Sequence, residues 1–244
     1  MTQIISFENI TKRFGDNLIL NDITFGIEKN EIFGIVGRSG SGKSTLLKIL
    51  AGFYHPASGK VYFNGNNMTK KPAELKKAIG FATQEDAFYH DLSVFENMQY
   101  YCRIYGIGGH IDDYIKGLLR SVELEGKENT ISKNLSGGMK RRLDIAISLV
   151  NDPEIIVMDE PTSNLDPILR KDIWGIIKSI RNLGKTIIVA SHNFEEVSTN
   201  CSHAGVLFDG GIRMFDLDSM RSDMDVSSIS MSIEECLISG DSDY

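Results

Sequence analysis

The chain has 244 residues, 41% hydrophobic and 24% charged, enough for one buried core with an inserted subdomain and too few apolar runs for a bilayer crossing of ~18–20 residues. The start, Met1 to Asn9, lacks a basic stretch followed by an apolar one, so the expectation is a protein made and kept in the cytosol. The net charge of −7 lies in the tail: eight of 33 acids and one of 26 bases follow Phe215, which leaves residues 1–215 with 25 of each and no clustered basic surface for nucleic acid.

In chain order, the first thirty residues alternate as strands do. Ile5, Phe7 and Asn9 fall on one face and Ile23, Phe25 and Ile27 on another, with a turn over Arg13 to Asn17. Ile32 to Val36 is an unbroken apolar run, as in a strand buried on both faces. Residues 44–50 carry apolar side chains at helical spacing and stop at Gly52. A turn at Pro56 to Gly59 and a strand from Lys60 follow.

After Ile79 to Thr83 the pattern becomes helical, over 93–126 and again from Met139 to Val150. From Pro153 the strand–helix rhythm returns, with strands over 155–158, 186–190 and 206–208 and helices over 167–183 and 193–200. Such alternation predicts an α/β fold with a mostly parallel sheet, a small antiparallel β region at the N-terminus and an inserted helical subdomain at about 84–151. The core domain spans 1–215 and an acidic tail 216–244. The tail reads two ways: a short helix at about 232–238 behind the Ser232–Glu235 capping box, or a disordered polar segment over 216–230.

Three segments carry chemistry. Gly37-Arg38-Ser39-Gly40-Ser41-Gly42-Lys43-Ser44-Thr45 is a complete phosphate-binding loop between a strand and a helix. Its glycines let the backbone turn so that N–H groups surround phosphates at a helix N-terminus, Lys43 reaches the β- and γ-phosphates, and Ser44 ligates Mg²⁺. Ile155 to Met158 is a buried strand closed by Asp159 and Glu160; side chains diverge at a strand end, so Asp159 serves the metal while Glu160 faces the γ-phosphate. Leu135-Ser136-Gly137-Gly138-Met139 offers backbone donors at a helix start. Cys102, Cys201 and Cys236 are widely spaced and form no C-x-x-C pair, which fits a reducing compartment and argues against a structural metal site.

Together and in this order, the three segments resemble the ATP-binding cassette (ABC) ATPase family, over nearly all of 1–215. The resemblance implies ATP and Mg²⁺ as ligands. It also implies that Gln84 senses the metal, with Ser44 and Asp159 as the other metal residues. Ser136, Gly137 and Gly138 would contact the nucleotide of a second subunit, Ser163 to Asp166 would cross between the two sites, and His192 would touch the γ-phosphate. Glu160, His192 and Lys43 are then the catalytic residues. Phe14 takes the place of an aromatic that stacks on adenine. Met139 and Asn164 depart from the commoner Gln and Gly, and neither change removes a charged or liganding group.

A narrower resemblance, through Tyr100 to Gly106, Leu135 to Leu143 and Ser232 to Glu235, points to the drug-resistance and polysaccharide-export branch. It implies a subunit at the inner face of the cell membrane that pairs with a second ATPase subunit and drives a separate permease. An importer subunit and a soluble, non-transport ABC ATPase are the alternatives. A GTPase switch lacks its Asn-Lys-x-Asp reader here. Phe88 and Tyr89 are read either as a landing site for a permease helix or as simple packing, whereas Val94, Met98, Tyr101 and Tyr105 share the core face of a helix.

Overall fold

A computed structural model describes residues 3–239. In chain order the elements are β1 (Gln3–Phe14), β2 (Asn17–Glu28), β3 (Ile32–Gly37), α1 (Lys43–Leu50), β4 (Ser58–Phe63), β5 (Asn66–Asn67), α2 (Pro72–Ala78) and β6 (Ile79–Ala82). The helices α3 (Val94–Ile104), α4 (Ile111–Ser121) and α5 (Gly137–Ser148) precede β7 (Ile155–Asp159) and α6 (Pro167–Asn182). β8 (Thr186–Ser191), α7 (Phe194–Asn200), β9 (His203–Phe208), β10 (Gly211–Asp216), α8 (Leu217–Asp223) and α9 (Val226–Ser239) complete the described chain. The fold is α/β, with an antiparallel sheet, mostly parallel strands elsewhere and a helical region. Two compact units make it up, residues 3–76 with 186–239, and residues 77–185.

In the first unit β2, β1, β4 and β5 form the antiparallel sheet in that order. Ile5 and Phe7 face Ile27 and Phe25 across the hairpin, and the Phe7 and Phe25 rings stack with centroids 4.7 Å apart. Asn9 does not continue this stripe, contrary to the alternation. The register slips between Phe7 and Ile10, Asn9 turns to a φ of 52°, and Ile10 takes the buried place. The slip is anchored by Asn9 Nδ2, which donates to Asp22 Oδ1 at 2.7 Å. β3 lies between β8 and β9, parallel to both, with β10 antiparallel beyond β9. Both β3 and β8 are buried along their whole length, which is why their sequences are apolar without alternation.

The docked helix expected at about 232–238 is part of a longer one. Ile229, Ile233 and Cys236, spaced by four and three, are buried on one face of α9, which packs on α7 and β9. That face starts the helix at Val226 rather than near Ser232, and α8 fills 217–223 where disorder was the alternative. Asp241 and Asp243 lie outside the described residues.

In the second unit β6 and β7 are parallel, with α5 packed on β6 and on α3, α4 and α6. The expected helical block over 93–126 is two helices, because Gly106 and Gly109 take left-handed backbone at φ 71° and 82°. α3 opens on a full capping box, Ser93 with Glu96. Phe88 is buried and edge-on to His90, so its packing reading holds; Tyr89 is half exposed and hydrogen-bonded through its hydroxyl to Tyr100 at 2.9 Å.

Candidate nucleotide-binding site

In the first unit the phosphate loop grows from the end of β3. A Cβ on Gly37 would come within 2.5 Å of Ser41 Oγ and 2.7 Å of the Leu207 carbonyl, so only glycine fits there. Gly40 and Gly42 hold φ of 82° and 102°, and Gly42 begins α1 without any side-chain cap. The first N–H groups of α1 are thus left to face an anion, with the helix dipole behind them. Lys43 is nearly buried and folds back over the loop, its ammonium donating to the carbonyls of Gly37 at 2.7 Å and Arg38 at 3.2 Å. A cleft of about 550 Å³ lies beside the loop, walled by Arg38, Ser39 and Ser41, by Asp209, and by Leu237 of α9. The β3–β8 register pairs Val36 with Ser191, which places exposed His192 one step past the strand pair, level with Gly37.

Phe14 is 44% exposed at the end of β1. Its ring meets Tyr54 edge-on with centroids 5.5 Å apart, and the Lys12 ammonium sits 5.0 Å from its centroid. Neither Tyr54 nor Lys12 stood out in the sequence, because the contact of Tyr54 with Phe14 joins residues remote in the chain. A ring so placed offers a face to a base. Phe14→Ala is expected to raise the KM for ATP about five- to tenfold with kcat little changed, as the loss of one stacked ring worth ~1–1.5 kcal/mol. Steady-state kinetics at varied ATP measure it, and an unchanged KM would remove Phe14 from the site.

The second unit holds the carboxylates. Asp159 and Glu160 are both buried at the end of β7, and Asp159 Oδ1 is a buried oxygen with no hydrogen-bond partner. An orphaned carboxylate oxygen is costly unless something binds it, and a hard cation such as Mg²⁺ fits that donor. Gln84, exposed two residues beyond β6, sits at the same end, because the register pairs Ala82 with Met158. Glu160 adopts a left-handed φ of 53°. Its carbonyl accepts from Arg141 Nη2 at 2.8 Å, the Ser163 N–H at 3.2 Å and Ser163 Oγ at 3.0 Å.

Ser136 caps α5, its hydroxyl accepting from the Met139 N–H at 3.3 Å, while Ser136 and Gly137 are exposed at the helix start. Asn164 holds a φ of 60°, which accounts for Asn where Gly is frequent, since Asn tolerates left-handed backbone best after glycine. Asp166 caps α6 by accepting from the N–H groups of Ile168 and Leu169 at 2.9 and 3.0 Å, with Pro167 as the first helical residue. In the first unit His203 pairs with Glu31 through Nδ1 at 2.6 Å. Burial pushes the Glu31 carboxyl above its ordinary range.

The residues proposed from sequence therefore divide. Phe14, Gly37 to Thr45 and His192 belong to one unit, and Gln84, Asp159, Glu160 and Ser136 to Gly138 to the other. Sequence reasoning passed over Arg141, a buried cation whose guanidinium reaches the carbonyls of Thr83, Asp159, Glu160 and Pro161. One signal was available: Arg141 precedes Ile145 and Ser148 by four and seven residues, so it falls on the buried stripe of α5.

The family model for the ABC transporter matches residues 20–163. The chain belongs to this family and carries its ATP-binding, ATPase domain. It is 35% identical over 212 residues to the Nod factor export ATP-binding protein I of Cupriavidus pinatubonensis, covering 86% of this chain and 65% of that protein. To the protein of the same description from Burkholderia lata it is 37% identical over 207 residues, 84% of this chain and 68% of the relative. The chain thus spans about two thirds of the length of these relatives. Among solved structures it is similar to an ATP-binding cassette of an ABC transporter in its ADP conformation, with a TM-score of 0.81 at 27% identity over 95% of this chain and 99% of that one.

Proposed function

We propose that this chain is the ATP-hydrolysing subunit of a transporter that exports its cargo through a separate membrane permease. The observation that carries the reading is the phosphate loop, folded with an uncapped helix start and with Lys43 turned onto its carbonyls. The N–H groups of Gly40 to Thr45 and the Lys43 ammonium bind the triphosphate, and Phe14 stacks on the adenine. Ser44, Gln84 and Asp159 would hold Mg²⁺, which when bound neutralises charge on the phosphate oxygens. Glu160 orients and polarises the attacking water, while His192 and Lys43 stabilise charge on the γ-phosphate.

Ser136, Gly137 and Gly138 close over the nucleotide of a second subunit, so two chains enclose two ATPs. Among the described residues no helix is long and apolar enough to cross a membrane, in keeping with a subunit that works from the inner face of the membrane. Export is supported by the relatives at 35–37% identity, which are Nod factor export ATP-binding proteins. The test has two parts. Turnover of the purified chain is expected with ATP, to rise more steeply than linearly with protein concentration, and to be weak with GTP. Affinity purification from the native membrane is expected to bring down a multi-spanning permease. Turnover strictly proportional to concentration rejects the paired site, and an external solute-binding protein in the isolated complex rejects export in favour of import.

A further inference from the structure

Arg141 and Asp144 lie almost one helical turn apart on α5, both nearly buried, and neither belongs to the loops that meet nucleotide. Arg141 donates through Nε to the Pro161 carbonyl at 2.9 Å and through Nη2 to the carbonyls of Asp159 and Glu160, each at 2.8 Å. Its Nη1 donates to the carbonyl of Thr83, the residue before Gln84. Asp144 takes the other end of the same loop, Oδ1 accepting from the Ala87 N–H at 2.9 Å. The span Gln84–Asp86 is therefore pinned at both ends by two side chains of one helix. The guanidinium that holds its first end also holds the backbone of both carboxylates.

A charge taken out of water is kept only where it is fully engaged. Arg141 has its nitrogens on four carbonyls, with the Asp144 carboxylate 4.0 Å away as counter-charge. Burial draws the guanidinium below its ordinary range and pushes Asp144 up to about 7, so the ion pair alone does not offset desolvation and the carbonyl bonds are what engage the guanidinium. A plain ion pair would point at its carboxylate. This one is turned toward the backbone of the residues proposed to hold the metal and the water.

We infer that Arg141 and Asp144 are positioning residues that set Gln84, Asp159 and Glu160 in register from α5, and so fix the metal-binding geometry of the chain's own half-site. The inference rests on the proposed function for the roles of those three residues. It also gives α5 a second task, because the helix whose start presents Ser136 to Gly138 braces the carboxylates through its next turn. Lysine at 141 reaches one carbonyl as a point charge and leaves the others without a donor. Asparagine at 144 still accepts from Ala87, whereas leucine does not.

The experiment uses the full chain. Affinity for ATP is measured in EDTA, Mn²⁺ binding to the ATP-loaded protein is followed by electron paramagnetic resonance, and kcat and melting temperature are recorded alongside. Arg141→Lys, Arg141→Met and Asp144→Leu are expected to keep metal-free ATP affinity within about twofold and to lose about ten- to hundredfold in Mn²⁺ affinity, the usual cost of removing a group that orients metal ligands, with a parallel fall in kcat. Asp144→Asn is expected to stay within about threefold of the unaltered chain, a rescue that follows from its retained acceptor. A folded variant at 141 with undiminished Mn²⁺ affinity overturns the inference, as does Asp144→Asn failing as badly as Asp144→Leu. Should Arg141 variants not fold, the Asn and Leu pair at 144 decides it alone. An unaltered chain that binds Mn²⁺·ATP but does not turn it over counts against the proposed function, not against the positioning.

Discussion

Glu160→Gln is expected to bind ATP as the unaltered chain does, to lose hydrolysis by about two to four orders of magnitude, and to collect as a nucleotide-bound dimer. Glutamine keeps the length, volume and hydrogen-bonding reach of glutamate. The backbone of residue 160 is fixed by its carbonyl, which Arg141 and Ser163 hold from two sides, and the substitution leaves those bonds untouched. What goes is the negative charge proposed to orient and polarise the water. In the proposed cycle binding and pairing precede that step, so they should persist and the closed state should have no exit. Phosphate release under single-turnover conditions, with size-exclusion chromatography in ATP, reads both halves of the expectation. Turnover near that of the unaltered chain would falsify the role of Glu160.

Lys43→Met should act one step earlier. Methionine fills the space of the lysine stem in a position only 8% exposed, so the loop stays packed. The carbonyls of Gly37 and Arg38 lose a donor, and the triphosphate would lose the ammonium proposed to bind it. Removing one partner of a close charge pair costs about 2–5 kcal/mol, so ATP affinity is expected to fall about 30-fold or more. Thermal unfolding gives a direct measure: ATP at 100 times the Kd of the unaltered chain adds about 2.7 kcal/mol of stability, and a variant weakened about 30-fold or more should gain no more than about 0.9 kcal/mol at that concentration. Equal gains in the two proteins would place the triphosphate elsewhere.

The parts of this molecule that were legible in the sequence are those where local constraints agree. Ile32 to Gly37, the loop and α1 are set by an apolar run, by glycines that the turn demands and by a helical stripe, all within a few neighbours of one another. α6 announces itself by Asp166 and Pro167 at its start and a long periodic face. Where the deciding contact is remote, sequence patterns misled or were silent. The Asn9 bulge depends on Asp22 across the hairpin, and α2 is too short to show a period. Tyr54 gains its meaning only beside Phe14. Arg141 looks like one charge among several in Met139 to Leu143, until the carbonyls of 83, 159, 160 and 161 converge on it. The tail was ambiguous because its apolar residues gain only when α7 and β9 are present to receive them.

The backbone at residue 160 also limits how this chain can be disabled cleanly. Left-handed φ is strained for any side chain branched at Cβ, at a cost of ~1–3 kcal/mol per residue held in such a region. Valine, isoleucine or threonine there would lower fold stability together with chemistry, and a loss of transport in such a variant would say nothing about hydrolysis. Glutamine and asparagine fit the turn and separate the two effects. An inactive reference form for trapping or inhibitor work should therefore be drawn from that short alphabet, chosen by backbone shape before charge.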